Sequence, residues 1–329
     1  MPEPAAPGLT APGLALLAEV TRSGFVESLH YGSAVGLDPS GRPAVALGPV
    51  DALVLPRSSA KPFQALACLV AGAALTGPSL AIAAGSHTGE DHHVRLVAEM
   101  LREYGLDLGA LACPATWPED QATAHRLIRD GQGVSRERMN CSGKHAAMLA
   151  AAVANDWDVA SYLSAGHPVQ LKVREVTEEL AGEKAAHVAV DGCGAPLFGM
   201  SLTGLARAVR ALVVAEPGSA PRQVADAMRE HPEYVGGTGH QNTELMRALP
   251  GSVAKGGAEG VLVVALESGH TAAVKVIDGS PRATTVIALD VLRAMGCDVS
   301  TAAEWESVPV LGGGQPVGVI TAPRRDGRG

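Results

Sequence analysis

The stretch RSSAKPFQ, residues 57–64, sets Ser58 three places before Lys61 and follows the lysine at once with Pro62. Serine is a weak nucleophile and a protonated lysine is no base. A lysine kept neutral by burial or by a second cation can, however, take the serine proton. Residues three apart on one helical turn share a face, so the spacing predicts that the Lys61 amine reaches the Ser58 hydroxyl. Pro62 suits the first turn of a helix and disfavours helical geometry at the residue before it. The pair is therefore predicted where a loop or strand enters a helix, beside backbone N–H groups that have no helical partner. Ser-x-x-Lys alone also describes a serine that merely caps a helix. It gains meaning only from a second half of a site.

Four further stretches are candidates for that half. NCSGKHAAM (140–148) places Cys141, Lys144 and His145 at the predicted start of a helix, where unpaired amides bias a thiol towards thiolate. VDGCGAP (190–196) sets Cys193 between two glycines after a predicted strand, with Asp191 two residues earlier. Two thiols plus a nitrogen ligand suit Zn²⁺, and spacing alone makes Cys141 with His145 the natural ligand pair. It equally leaves both cysteines open as small buried apolar residues, the reading adopted for Cys68, Cys113 and Cys297. GSHTGE (85–90) and AKGGAEG (254–260) are glycine-bracketed polar clusters carrying Ser86, His87, Glu90 and Lys255. Their glycines let backbone amides approach a ligand or an oxyanion. His92 and His93 follow Glu90, but consecutive helical positions do not share a face, so they are expected as solvated first-turn residues.

The elements that must hold these residues are legible in outline. FVESLHYGSAVGL and PAVALG are strand-like and separated by the turn sequence DPSGRP. AKPFQALACLVAGAAL, KHAAMLAAAVAND and PVQLKVREVTEELAG predict helices, and DHHVRLVAEMLREYG predicts an amphipathic one with Val94, Val97, Met100 and Leu101 inward and Gly105 as its stop. AAHVAV is strand-like, GVLVVALES and TAAVKVIDG predict a hairpin turned at Gly269, and ATTVIALDVLRAMG predicts a helix. Strands thus gather at both ends around a helical middle. The expectation is an α+β fold with an antiparallel sheet built from both chain ends. The predicted organisation is a flexible leader over 1–17, one domain over 18–322 and a flexible tail over 323–329 that holds Arg324, Arg325 and Arg328.

Composition narrows the partners. Hydrophobic residues make up 47% of the 329, charged residues 18% and aromatics 3%, the profile of a packed chain with an aliphatic core. A formal charge of −8 and few aromatics argue against nucleic acid. No apolar run approaches the ~20 residues of a membrane span, and the leader lacks signal-peptide character. Five scattered cysteines do not make a disulfide framework. A cytoplasmic protein is the expectation.

Taken together, RSSAKPFQ, GSHTGE, WPED, LIRDGQ, NCSGKHAAMLA, YLSAGHPVQ, DGCGAP, HPEYVGGTG and AKGGAEG resemble the asparaginase II-type (rhizobial-type, class 3) L-asparaginases over about residues 25 to 320. The resemblance implies a serine β-lactamase- and glutaminase-like fold, a homodimer, and hydrolysis of the side-chain amide of L-asparagine. It implies two Ser–Lys pairs, Ser58 with Lys61 and Ser86 with Lys255. It further implies zinc on Cys141, Lys144 and Cys193, with His145 beside that site. Arg57, His87, Asp191, Asn242, Gly256 and Gly257 are expected to bind substrate. One stretch departs from the family pattern: where an Arg-x-Asp-Thr commonly stands, this chain has His240, Gln241, Asn242 and Thr243. An arginine and a carboxylate are thereby lost. Two rival readings are a β-lactamase or penicillin-binding-type acyltransferase and an inactive zinc-binding module. Against the first, Lys255 is not followed by Ser or Thr, and no Ser-Asp-Asn stands between it and Ser58.

Overall fold

Strands from the two ends of the chain hydrogen-bond directly to one another, and that pairing frames the site. The structure is a computed structural model and describes residues 13–323. From the N-terminal side come β1 (Ala15–Arg22), β2 (Phe25–Leu37), β3 (Pro43–Leu47) and the short β4 (Leu53–Val54). The helical middle holds α1 (Lys61–Val70), α2 (Gly77–Ala83), α3 (Asp91–Glu103), α4 (Gln121–Arg129), α5 (Ser142–Ala154) and α6 (Pro168–Ala181). After β5 (His187–Val190) and β6 (Pro196–Ser201) it continues with α7 (Leu202–Val214), α8 (Ala220–Glu230), α9 (Pro232–Val235) and α10 (Gln241–Ala248). The C-terminal part supplies β7 (Val253–Gly257), β8 (Val261–Ala265), β9 (Thr271–Val276), α11 (Thr284–Ala294), β10 (Val308–Gly312) and β11 (Gln315–Thr321).

The main antiparallel sheet runs β10-β11-β1-β2-β9-β8-β7, with β3 also on β2. Glu19 stands opposite Thr321, and Ala34 opposite Val274, so the first and last strands are neighbours. This is the α+β arrangement expected from the sequence. A second sheet, β4-β6-β5, was not anticipated as a unit; β6 reads PLFGMS, and its proline and glycine hide it from a strand pattern. Ala15, Leu16 and Leu17 lie in β1, which corrects the expected leader of residues 1–17: pairing with β2 from Ala15 onward recruits them into the sheet. Residues 1–12 and the tail from 324 lie outside the described residues.

Strands β8 and β9 are buried at nearly every successive position, hence on both faces, with α7 and α11 packed on them. In α7, Leu202, Leu205, Val209 and Leu212 are fully buried, each contributing about 1.5–3 kcal/mol. α3 buries Val97, Met100 and Leu101 as expected, while Val94 is only half-buried, and Gly105 follows its end at φ +71°. No helix among the described residues is long and apolar enough to cross a membrane.

Candidate active site

Four stretches far apart in the chain converge where α1 begins. Residues Arg57–Ala60 form one 3₁₀ turn that leads into α1, with Lys61 and Pro62 in its first turn. Arg57 sits at φ +51°, a left-handed geometry that costs a non-glycine residue of order 1 kcal/mol. It is held there by an ion pair to Asp191, Nε to Oδ1 at 2.9 Å. The end of β7 presses on the same turn: a Cβ at Gly257 would meet the Pro56 carbonyl oxygen at 2.7 Å and Ser59 N at 3.2 Å, so only glycine fits.

The two lysines meet at one hydroxyl. Lys61 donates to Ser86 Oγ at 2.8 Å and to the Asn140 carbonyl at 2.9 Å. Lys255 Nζ lies 2.8 Å from the same Ser86 Oγ and 2.8 Å from the Gly256 carbonyl. Both lysines are 0% exposed and Ser86 is 7% exposed. Burial, then the nearby Lys61, pushes the Lys255 pKa well below the ordinary lysine range, which favours the neutral amine over the ammonium at this position. The direct Ser58–Lys61 hydrogen bond that the spacing predicts is absent. Lys61 runs into the interior towards Ser86, while Ser58 stays half-exposed and its hydroxyl makes no hydrogen bond among the described residues. Ser58 is thus the hydroxyl open to a ligand, and Ser86 the one enclosed by amines.

His87, expected at the substrate, is fully buried with both ring nitrogens engaged: Nδ1 accepts from Gly89 N, and Nε2 lies 2.8 Å from Ser142 Oγ. It fixes the Ser86 loop to the start of α5 instead. That loop is also tied by Ser86 N and Thr88 N donating to the carbonyls of Val235 and Gly236. His93 is fully buried too, contrary to its expected solvation. Its Nδ1 accepts from Glu90 N, its Nε2 meets the Glu233 carbonyl, and its ring stacks on His87 at 4.9 Å. Glu90, His92 and His93 place donor atoms within 4.8 Å of one another despite their sequence positions. The Glu90 carboxylate, however, is committed to Thr88 and Thr238, so the cluster serves as a helix cap.

Cys141 caps α5, and the Cys193 turn brings its sulfur to the same place. The thiols of Cys141 and Cys193 and a carboxylate oxygen of Asp191 lie within 4.8 Å of one another, all buried. Hydrogen bonding from Cys193 holds the Cys141 thiol well below its usual pKa, with Lys61 and Lys144 adding to the effect. Cys193 is pushed up correspondingly, by that same bond and by burial. Burial alone would discharge Lys144, but Cys141, Cys193 and Asp191 outweigh it and raise its pKa; Nζ stands 3.7 Å from Asp191 Oδ2. His145 is not the ligand that i,i+4 spacing suggests. The group of close donor atoms is Cys141, Asp191 and Cys193, while His145 Nδ1 lies 2.6 Å from Tyr162 OH, which also accepts from Ala112 N, and Nε2 is buried without a partner. Asp191, expected at the substrate, links the thiol cluster to Arg57 and so to Ser58. Nothing in the spacing revealed that link.

The L-asparaginase II family model matches residues 18–322. No curated protein matches the chain. Solved structures similar to it include Mglu in its native form, at 12% identity and TM-score 0.47, covering 81% of this chain and 64% of that one. This chain therefore matches less than two thirds of the length of Mglu. A beta-lactamase from Mycobacterium bovis is similar at 16% identity and TM-score 0.43, covering 83% and 94%.

Proposed function

The chain belongs to the L-asparaginase II family, and on that premise we propose that it hydrolyses the side-chain amide of L-asparagine to L-aspartate and ammonia through a serine acyl-enzyme. The observation that carries this reading is the convergence of Lys61 and Lys255 on Ser86 Oγ, with Lys61 three residues along the chain from the half-exposed Ser58. Ser58, whose hydroxyl makes no hydrogen bond to Lys61 in the free protein, attacks the carboxamide carbon as bound substrate draws it to the Lys61 amine, which takes its proton. Lys61 is relieved in turn through Ser86 to the neutral Lys255. The tetrahedral intermediate collapses as the C–N bond breaks and the nitrogen takes the proton returned from Lys255 through Ser86 and Lys61, leaving as ammonia. Water then hydrolyses the ester, restoring the Ser58 hydroxyl and releasing aspartate. The strained Arg57 favours this assignment, since left-handed backbone at a non-glycine residue persists where surrounding structure enforces it for a purpose.

The residues of the thiol cluster fit Zn²⁺: two sulfurs, one of them biased to thiolate, with a carboxylate and an amine at their side. Cys141 and Cys193 would hold the ion with Asp191, and Lys144 could join them only as the neutral amine, after giving up the proton that the thiols and Asp191 stabilise. When bound, it supplies a Lewis-acid centre that polarises a carbonyl.

The test is ammonia release from asparagine and from glutamine by wild type and Ser58→Ala, with zinc content measured on the same samples. Asparagine turnover is expected to fall by about 10³-fold or more in the variant. Full-rate release without the Ser58 hydroxyl rejects the nucleophile, and a silent Ser58→Ala with no activity in wild type points to a zinc module without catalysis.

A further inference from the structure

Asn242 lies in the first turn of α10 and is 1% exposed. Its Oδ1 accepts from Gly256 N at 2.8 Å. That bond fixes the orientation of the amide, because turning it over would set an NH₂ against an N–H. The remaining end, Nδ2, is therefore a donor, and it is buried without a partner. A buried donor with nothing to bond is costly, and a ligand acceptor would relieve it.

His240 stands two residues earlier. Its Nδ1 accepts from Asn242 N at 3.1 Å, which leaves the ring proton on Nε2 as a second donor. Burial, with help from Lys255 and Lys61, lowers its pKa to about 4, so the ring is uncharged near neutrality. The Gly256 carbonyl receives Lys255 Nζ, so one short stretch of β7 ties Asn242 to the lysine centre. Of the carboxylates around this centre, Asp191 faces Arg57 and Lys144, Glu90 faces Thr88 and Thr238, and Glu119, which acts on Lys255, accepts from Asn140 Nδ2.

Resting on the amide-hydrolase reading above, we propose that Asn242 and His240 form an uncharged, donor-only wall of the substrate site. This wall seats the α-carboxylate of the amide substrate and takes no part in reading its ammonium. The favoured class is thus amide acids with or without a free α-amino group.

Three amides separate the outcomes: L-asparagine, succinamate, which lacks the ammonium, and β-alaninamide, which lacks the carboxylate. For wild type, succinamate is expected within about threefold of asparagine in kcat/KM, and β-alaninamide at least a hundredfold lower. Asn242→Asp keeps an oxygen for Gly256 N but turns an acceptor towards the ligand. It should raise KM for asparagine and succinamate at least tenfold while leaving β-alaninamide no worse. His240→Asn keeps the acceptor that caps α10 and removes the Nε2 donor; about a fivefold rise in KM for the same two substrates is expected. A hundredfold drop for succinamate in wild type, or an unmoved KM in both variants, overturns the proposal. If wild type releases ammonia from none of the three, the amidase reading has failed and the wall is still tested by calorimetry with succinate. Succinate binding that Asn242→Asp abolishes supports it, and binding that Asn242→Asp leaves unchanged, or no binding to wild type, overturns it.

Discussion

Lys61 and Lys255 come from opposite ends of the helical middle, yet each amine lies 2.8 Å from the same oxygen, Ser86 Oγ. Two like charges in such contact, out of water, repel by about 3 kcal/mol even at an effective dielectric near 20. The lowered pKa of Lys255 follows first from burial, with that repulsion added to it. A neutral amine beside a hydrogen-bonded amine is what a proton relay requires.

Removing the shared oxygen should therefore disconnect the amines. Ser86→Ala is expected to lower kcat by about 10²–10³-fold, the usual share of general acid–base catalysis, with KM within threefold of wild type. Steady-state ammonia release checks this. A kcat equal to wild type would exclude Ser86 from the relay.

Keeping Lys255 uncharged costs stability. With its folded pKa lowered by burial and by Lys61, Lys255 holds its proton to higher pH unfolded than folded, so the unfolded state gains as pH falls. Stability should climb as pH rises above the folded pKa towards the unfolded lysine value near 10.4. Lys255→Met should lose that part of the slope, gain on the order of 1 kcal/mol at pH 7, and lose turnover. Urea unfolding between pH 6 and 9, wild type against variant, measures both.

The close approach of β7 to the 3₁₀ turn makes Gly257 a positional constraint on Ser58. In Gly257→Ala the new methyl would collide with the Pro56 carbonyl oxygen and crowd Ser59 N. A displacement of the turn by about 1 Å should cost roughly 10²-fold in kcat with the fold retained. Unchanged kcat together with an unchanged melting temperature would show that the turn can yield without consequence.

Asp191 ties the thiols, Lys144 and Arg57 together. Asp191→Asn keeps the shape but leaves Lys144 and Arg57 facing an amide, and should cost about 2–3 kcal/mol, somewhat less than the breaking of a fully buried pair because Arg57 is partly exposed. Equilibrium dialysis should also show weaker Zn²⁺ binding, and Cys193→Ala should show none. Thermal melts and dialysis on the same preparations read the two effects separately.

The sequence determined by itself the elements and the candidate chemistry. GVLVVALES and TAAVKVIDG read as a hairpin and KHAAMLAAAVAND as a helix from apolar content, spacing and turn residues, all of them local properties, and both readings are met in β8, β9 and α5. The quoted motifs also sufficed to place the chain in its family. The tertiary structure alone decided which oxygen each lysine meets. Ser58 and Lys61 are three residues apart, but the interior position of the Lys61 amine is set by Ser86 and Asn140, contributed by other loops. It also decided that Asp191 joins the sulfurs, that His145 Nδ1 meets Tyr162, and that His93 is buried. A hydrogen-bond partner or a burial cost depends on what the rest of the chain brings to within about 3 Å, and no spacing along the chain encodes that distance.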